Sequence, residues 1–346
     1  MGAILRDTYV IEQEIAVGGM GRIFEARHLR LPGRYAVKVL HPRWARNPDA
    51  LARFHREAEI LARLRHPNVV EVFDFDTTSD GIPYLVMERV LGRDLAAHIY
   101  EQGPMEPPRA AAVIRQIAAG LEAAHRRGIV HRDLKPANVM LFDCEGMKDV
   151  VKLLDFGVSK VDLAGPAMTG RTMLGTPSYM APEQVEGLSD QIDGRADQFS
   201  LAVLAYVLLR GSRPFPGDTT SEVLTRIVND APMPLSEPGN TRLEKAEAVL
   251  RRALSKRPED RFDRIGEFSA ALERALQAAF GLEDEAGSPP PAVEPASGDA
   301  STMPVLRLAL PDHPTGPTLP DARAAKTPRD QRQHARPATG RLAAAL

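Results

Sequence analysis

Three short stretches carry side chains that could do chemistry together. In His131-Arg132-Asp133-Leu134-Lys135-Pro136-Ala137-Asn138 a carboxylate is followed two residues on by a lysine and five on by an asparagine. Asp155-Phe156-Gly157 begins 22 residues after Asp133, and Ala181-Pro182-Glu183 lies farther on. An aspartate can accept a proton from an attacking hydroxyl. A lysine beside it can stabilise negative charge that develops during a reaction, and Asn and Asp oxygens are hard donors of the kind magnesium takes. The bland alternative for the first stretch is a solvated charged turn ahead of the strand Val139-Met140-Leu141-Phe142. Three such stretches in order leave that alternative little room.

Composition sets the bounds within which these groups must be held. A chain of 346 residues admits one large domain or two modest ones, and 43% hydrophobic with 26% charged residues is ordinary for a chain that buries a core. A formal net charge of −2 argues against a nucleic-acid surface or a polybasic membrane surface. The single cysteine, Cys144, excludes an intramolecular disulfide and points to a reducing compartment; it sits in an expected loop, 143–146, and reads as incidental. The longest strongly apolar run, Leu201 to Leu209, is far short of the roughly 20 residues of a spanning helix. The N-terminus has neither the basic flank nor the apolar core of a signal peptide, and Arg6 stands where a myristoylation signal wants Ser or Thr. The expected location is cytoplasmic.

The elements that position the reactive stretches read as follows. Tyr9 to Ile15 is rich in β formers, and Ala16-Val17-Gly18-Gly19-Met20-Gly21 follows it. A dinucleotide-binding fold would open a helix after such a loop, whereas Arg22 to Ala26 reads as a second strand. Tyr35 to Leu40 is a strand whose apolar run is interrupted by Lys38, 17 residues beyond Gly21. Asp49 to Leu64 reads as a helix with Phe54, Ala58, Leu61 and Leu64 on one face, and His66-Pro67 ends it. Strands are expected near Val69 to Phe75 and Pro83 to Met87, joined through Asp80-Gly81. From Asp94 the texture is helical: Pro107 to Arg127 ends at Gly128, an apolar helix covers Phe199 to Leu209, and Ile265 to Phe280 is the last. Residues 281–346 hold 11 prolines, 13 alanines and no Phe, Trp or Tyr, a composition that cannot offset chain entropy, so a disordered tail is expected, acidic at its start and basic at its end.

Together these stretches resemble the catalytic loop, the magnesium motif and the A-P-E segment of protein kinases, and the closer likeness is to the eukaryotic-like (Hanks-type) Ser/Thr protein kinases of bacteria. The resemblance implies an α+β, two-lobed kinase fold over residues 8–280, β-rich to about residue 90 and α-rich beyond. It implies a strand–glycine loop–strand lid over ATP phosphates, formed by Ala16, Val17, Gly18, Gly19, Met20 and Gly21, with Ala16 departing from the usual first glycine. Lys38 is then the lysine that grips the phosphates. Glu57 is its expected partner because Phe54-His55-Arg56-Glu57-Ala58 resembles the bacterial run, although spacing alone leaves Glu59 open. Adenine would lie between Ile23 and Ala36 above and Met140 below, with Met87 as gatekeeper and the backbone of the Glu88-Arg89-Val90 hinge bonding to it. Asp133 would orient the substrate hydroxyl, Lys135 stabilise the γ-phosphate, and Asn138 and Asp155 carry Mg2+, for which Mn2+ can substitute.

The same resemblance implies a spine of Leu61, Val72, Phe156 and His131, a buried anchor at Asp197, and an arginine, Arg261, paired with Glu183. The interval from Asp133 to Asp155 is longer than is usual in the family, and the extra length is assigned to a hairpin at 143–149. Arg132 before Asp133 is the pattern of kinases switched on by phosphate in the activation segment, here at Thr169 or Thr172, with Thr176 structural. Expected partners are ATP, Ser/Thr-bearing protein substrates and a second copy met transiently for trans-autophosphorylation, but neither nucleic acid nor membrane. A pseudokinase scaffold and a small-molecule kinase are the rivals. Every catalytic position is filled, which weighs against the first, and the A-P-E segment with Arg261 weighs against the second.

Overall fold

The β-branched and aromatic residues that crowd the chain before Glu88 form one antiparallel sheet. The computed structural model describes residues 2–18, 21–144, 146–156, 177–188, 192–236 and 241–280, with the backbone alone at 49, 53 and 57. The strands are β1 (Ile4–Leu5), β2 (Tyr9–Val17), β3 (Gly21–His28), β4 (Arg34–Leu40), β5 (Val72–Thr77) and β6 (Pro83–Glu88), in the order β1-β2-β3-β4-β6-β5. Register sorts their side chains onto two faces, because opposed residues share a face and successive ones alternate. Ala26, Val37, Tyr84 and Val86 pack on one face with Tyr9 and Ile11. Ala36, Leu40, Leu85 and Met87 pack on the other, against Phe54 and Ala58 of the helix α2 (Pro48–Arg63), which follows the short α1 (Pro42–Ala45). Leu61 and Leu64, lower on the same stripe of α2, join the larger core beneath. The glycine hairpin needs Gly21 itself, since a Cβ there would lie 2.3 Å from the Val39 carbonyl oxygen.

Below the sheet the chain is helical. A second sheet of β7 (Arg93–Asp94), β8 (Val139–Cys144) and β9 (Met147–Leu153), in that order, lies among α3 (Leu95–Gln102), α4 (Pro107–His125), α5 (Pro182–Val185), α6 (Gly194–Arg210), α7 (Thr220–Asn229), α8 (Glu244–Ala253) and α9 (Ile265–Phe280). The near-continuous burial of α6 from Ala196 to Leu208 explains why its sequence shows no polar stripe. Three expectations shift. The helix expected from Phe199 starts at Gly194, because Asp193 accepts a 2.8 Å bond from the Arg195 amide and caps it. The strand expected from Val69 starts at Val72, while Val69 forms an isolated parallel bridge with Leu153. Cys144 ends β8 opposite Met147 instead of sitting in a loop, so the strands of the expected hairpin pair as far as these two residues. Among the described residues no helix is long and apolar enough to cross a membrane. The expected tail, 281–346, lies outside the described residues.

Candidate active site

The loop before β8 is held from below by a single carboxylate. Asp197 on α6 is fully buried and accepts from the His131 and Arg132 amides at 2.8 Å each, while His125 Nε2 at the end of α4 lies 2.7 Å from it. Burial opposes its ionisation, but His125 and His131, the latter also through its amide, hold its carboxyl below the usual range. A buried carboxylate with such partners pins two successive peptide units, which lets Arg132 keep a left-handed φ of 63°. The Arg132 carbonyl accepts from Gln184 Nε2 of α5 at 3.0 Å. Burial pushes the His131 imidazole towards its neutral form. Its neighbours fix the tautomer, with Nε2 donating to the Leu154 carbonyl at 3.1 Å and Nδ1 accepting from the Asp133 amide at 3.3 Å.

On that platform the loop presents its polar groups together. Lys135 Nζ lies 2.9 Å from Asp133 Oδ2. Asn138 Nδ2 donates to the Asp133 carbonyl at 2.9 Å and to Asp133 Oδ2 at 3.3 Å. Its amide nitrogen is thereby committed to the loop, and the atom left over is Oδ1, a hard neutral oxygen. From the sheet above, Lys38 Nζ reaches Asp155 Oδ1 at 2.9 Å. Burial again opposes ionisation, and the Lys38 ammonium outweighs it and keeps Asp155 charged. An ionised carboxylate and an amide oxygen suit a hard divalent cation, so the residues present fit magnesium or manganese. Asp155 has a φ of 44°, a strained conformation for a non-glycine residue, and it is held by the Lys38 contact on one side and fully buried Phe156 on the other.

Two members of the expected spine meet directly, and the other two lie in or against the same core. His131 and Phe156 have ring centroids 4.5 Å apart, and Phe156 shares one core with Leu61, against which Val72 packs. Ile23, Ala36 and Met87 lie in one apolar cluster on the inner face of the sheet, where Ile23 opposes Lys38 and Ala36 opposes Met87. Met140 is half-buried on β8 opposite Lys152, and Val90 is buried. Glu88 closes β6 and accepts from Lys152 Nζ at 2.6 Å. Ala16 and Val17 oppose Ile23 and Arg22 in extended strand, and Gly18 closes the hairpin by donating to the Gly21 carbonyl at 2.8 Å. Gly19, Met20, Gly157, Thr169, Thr172, Thr176 and the side chain of Glu57 lie outside the described residues.

Two positioning groups have no local signal in the sequence. His125 meets Asp197 across 72 residues of chain, and Gln184 meets Arg132 across 52. Asn68 is a third: it bonds Gln116 of α4 and the Val151 carbonyl of β9, tying the turn after α2 to the helical part. The pairing foreseen between Glu183 and Arg261 is bidentate, at 2.7 and 2.8 Å, and fully buried on the arginine side.

A protein-family profile described as "Protein kinase domain" matches residues 9–275. Pkn3 of Myxococcus xanthus, named a serine/threonine-protein kinase, is 37% identical over 79% of this chain and 51% of its own length. PknB of Mycobacterium tuberculosis, named likewise, is 38% identical over 78% of this chain and 43% of its own. The chain thus spans about half, or less, of the curated relatives it matches. The crystal structure of the Mycobacterium tuberculosis PknI kinase domain superposes with a TM-score of 0.60 at 31% identity, over 79% of this chain and 98% of that one. With the sheet, the helical part and the loop between them already in place, these matches show that the chain belongs to the protein kinase family.

Proposed function

We propose that residues 8–280 form a Ser/Thr protein kinase domain that moves the γ-phosphate of ATP to Ser or Thr hydroxyls of proteins. The observation that carries this reading is the 2.9 Å contact of Lys38 with Asp155, which draws together groups 117 residues apart beside the Asp133–Lys135 pair. Asp133 orients the incoming hydroxyl and takes its proton, and Lys135 sets positive charge beside the transferred group. Lys38 orients the phosphates, and the backbone of residues 16–21 covers them. Ile23, Ala36 and Met140 enclose adenine, with Met87 behind it and the Glu88–Val90 backbone along its edge. Magnesium, or manganese in its place, would be held by Asn138 and Asp155 and would neutralise phosphate charge. The chemistry is positioning and electrostatics throughout. A domain that consumes ATP belongs on the cytoplasmic side. Transfer of label from radioactive ATP to a generic protein, absent in an Asp133→Asn control, is the expected result; label on small molecules alone, or none, overturns the reading.

Ala16 fits this function as it stands. It has no left-handed φ, although the β2–β3 register shifts just before it, so a methyl group there strains no backbone angle. Ala16→Gly is expected to change KM for ATP by no more than about fivefold, the equivalent of the ~1 kcal/mol by which the two residues differ in backbone cost. A large rise in kcat instead would show a lid crippled by the natural alanine.

Activation is expected to run through Arg132. Its Nη1 is buried and has no hydrogen-bond partner among the described residues, an arrangement that favours an incoming anion. A phosphate on Thr169 or Thr172 would supply it through charge-assisted bonds. Mass spectrometry of self-activated protein should find phosphate at one or both and little at Thr176. Thr169→Ala with Thr172→Ala should slow transfer to a second protein at least about tenfold, the order of one charge-assisted bond; an unaltered rate would mean that the arginine is no switch here.

A further inference from the structure

Glu25 is an acid in an unusual place. It lies on β3 opposite Gln13 and Ala36, so it shares the inner face of the sheet with Ile23, Ala36 and Lys38, the face turned to the proposed nucleotide cleft. Its side chain is only 3% exposed. A carboxylate so buried persists only with partners, and among the described residues it has three: Gln13 Nε2 at 3.1 Å, Arg34 Nη1 at 2.8 Å and Arg89 Nε at 3.4 Å. The two arginines differ in kind. Arg34, on β4, is 64% exposed, whereas Arg89 is 21% exposed and stands in the hinge itself. The other edge of its guanidinium donates from Nη1 to the Val90 carbonyl at 2.8 Å.

We propose that Arg89, braced on Glu25, is a positioning residue for the nucleotide: it sets the orientation of the hinge peptides at 89 and 90 against the adenine edge. The proposal rests on the kinase reading of the cleft. One planar fork bonds both the sheet and the hinge carbonyl, so the strand that carries Ile23 and the segment that meets adenine keep a fixed spacing. Nothing in this device touches the reacting atoms. Its loss therefore acts on nucleotide affinity and spares the transfer step.

The experiment compares Arg89→Ala with Arg34→Ala, which takes a different arginine from the same acid. Arg89→Ala is expected to raise KM for ATP, and the Kd for ADP measured by calorimetry, at least about tenfold, as one lost charge-assisted bond would, while kcat stays within about twofold. Arg34→Ala is expected to leave both constants in place even where it lowers the melting temperature as much. Arg89→Lys should recover part of the affinity, because an ammonium lacks the two-edged fork. Equal effects of the two alanine variants on Kd, or no effect of Arg89→Ala, would overturn the proposal and leave the kinase reading standing. Failure of the parent chain to bind ADP at all would overturn both.

Discussion

Asp133→Asn should yield a folded chain that transfers phosphate at least about 100-fold more slowly than the parent, the loss expected when a positioned acid–base group is removed. The substitution is nearly isosteric and keeps an oxygen that can accept from Lys135 and Asn138, and the loop has other supports. Its backbone is held by Asp197 through the His131 and Arg132 amides, and by Asn138 through the Asp133 carbonyl. The melting temperature should consequently stay close to that of the parent. Lys38→Met should give a loss of similar size by a different route, since it takes the ammonium from Asp155 and removes the cation on the sheet side of the cleft. The two variants separate chemistry from nucleotide handling: ADP affinity should survive the first and fall in the second. Retention of more than a few per cent of parental labelling by Asp133→Asn would sink the assigned mechanism.

The reach of the sequence over this site follows a physical pattern. Groups that lie in one continuous stretch were legible as a cluster, because Asp133, Lys135 and Asn138 are fixed relative to one another by the local backbone. Strand and helix identities were legible where periodicity was strong, as on α2 with its stripe of Phe54, Ala58, Leu61 and Leu64. Element ends were less so: α6 starts earlier than its apolar run because the cap at Asp193, a polar side-chain bond, decides the boundary. Contacts made across the fold left no periodic trace. Glu25 looks like any charged residue on an alternating strand, and only the register of β2, β3 and β4 puts it on the inner face. His125 looks like a helix-terminal histidine until Asp197 comes beneath it. Resemblance to a family supplied Asp197 and Arg261 in advance, and their bonding agrees with it.

The deepest ion pair is where the largest loss of stability is expected. Arg261 is among the largest fully buried side chains, and each of its N–H donors is engaged. Nε donates to the Ser255 carbonyl, Nη1 to Glu183 and the Arg195 carbonyl, and Nη2 to Glu183 and the Lys256 carbonyl, all between 2.7 and 3.0 Å. Phe199 lies under the guanidinium at 5.1 Å. Arg261→Ala removes the cation and leaves Glu183, itself 3% exposed, as a buried uncompensated charge. Breaking a buried pair in this way costs roughly 3–5 kcal/mol, a large share of the ~5–15 kcal/mol that holds a typical domain together. Arg261→Lys should not rescue it well, because three donors on a point charge cannot meet a bidentate carboxylate and three carbonyls. Glu183 lies on α5 beside Gln184 and its bond to Arg132. Loosening it should therefore weaken transfer to protein substrates more than ADP binding. Chemical denaturation of Arg261→Ala, Glu183→Ala and the double variant reads the coupling directly. The double variant should be little less stable than either single one, since the first substitution already destroys the pair. Strictly additive losses would mean that arginine and glutamate stabilise the fold independently, and the bidentate contact would then contribute nothing of its own.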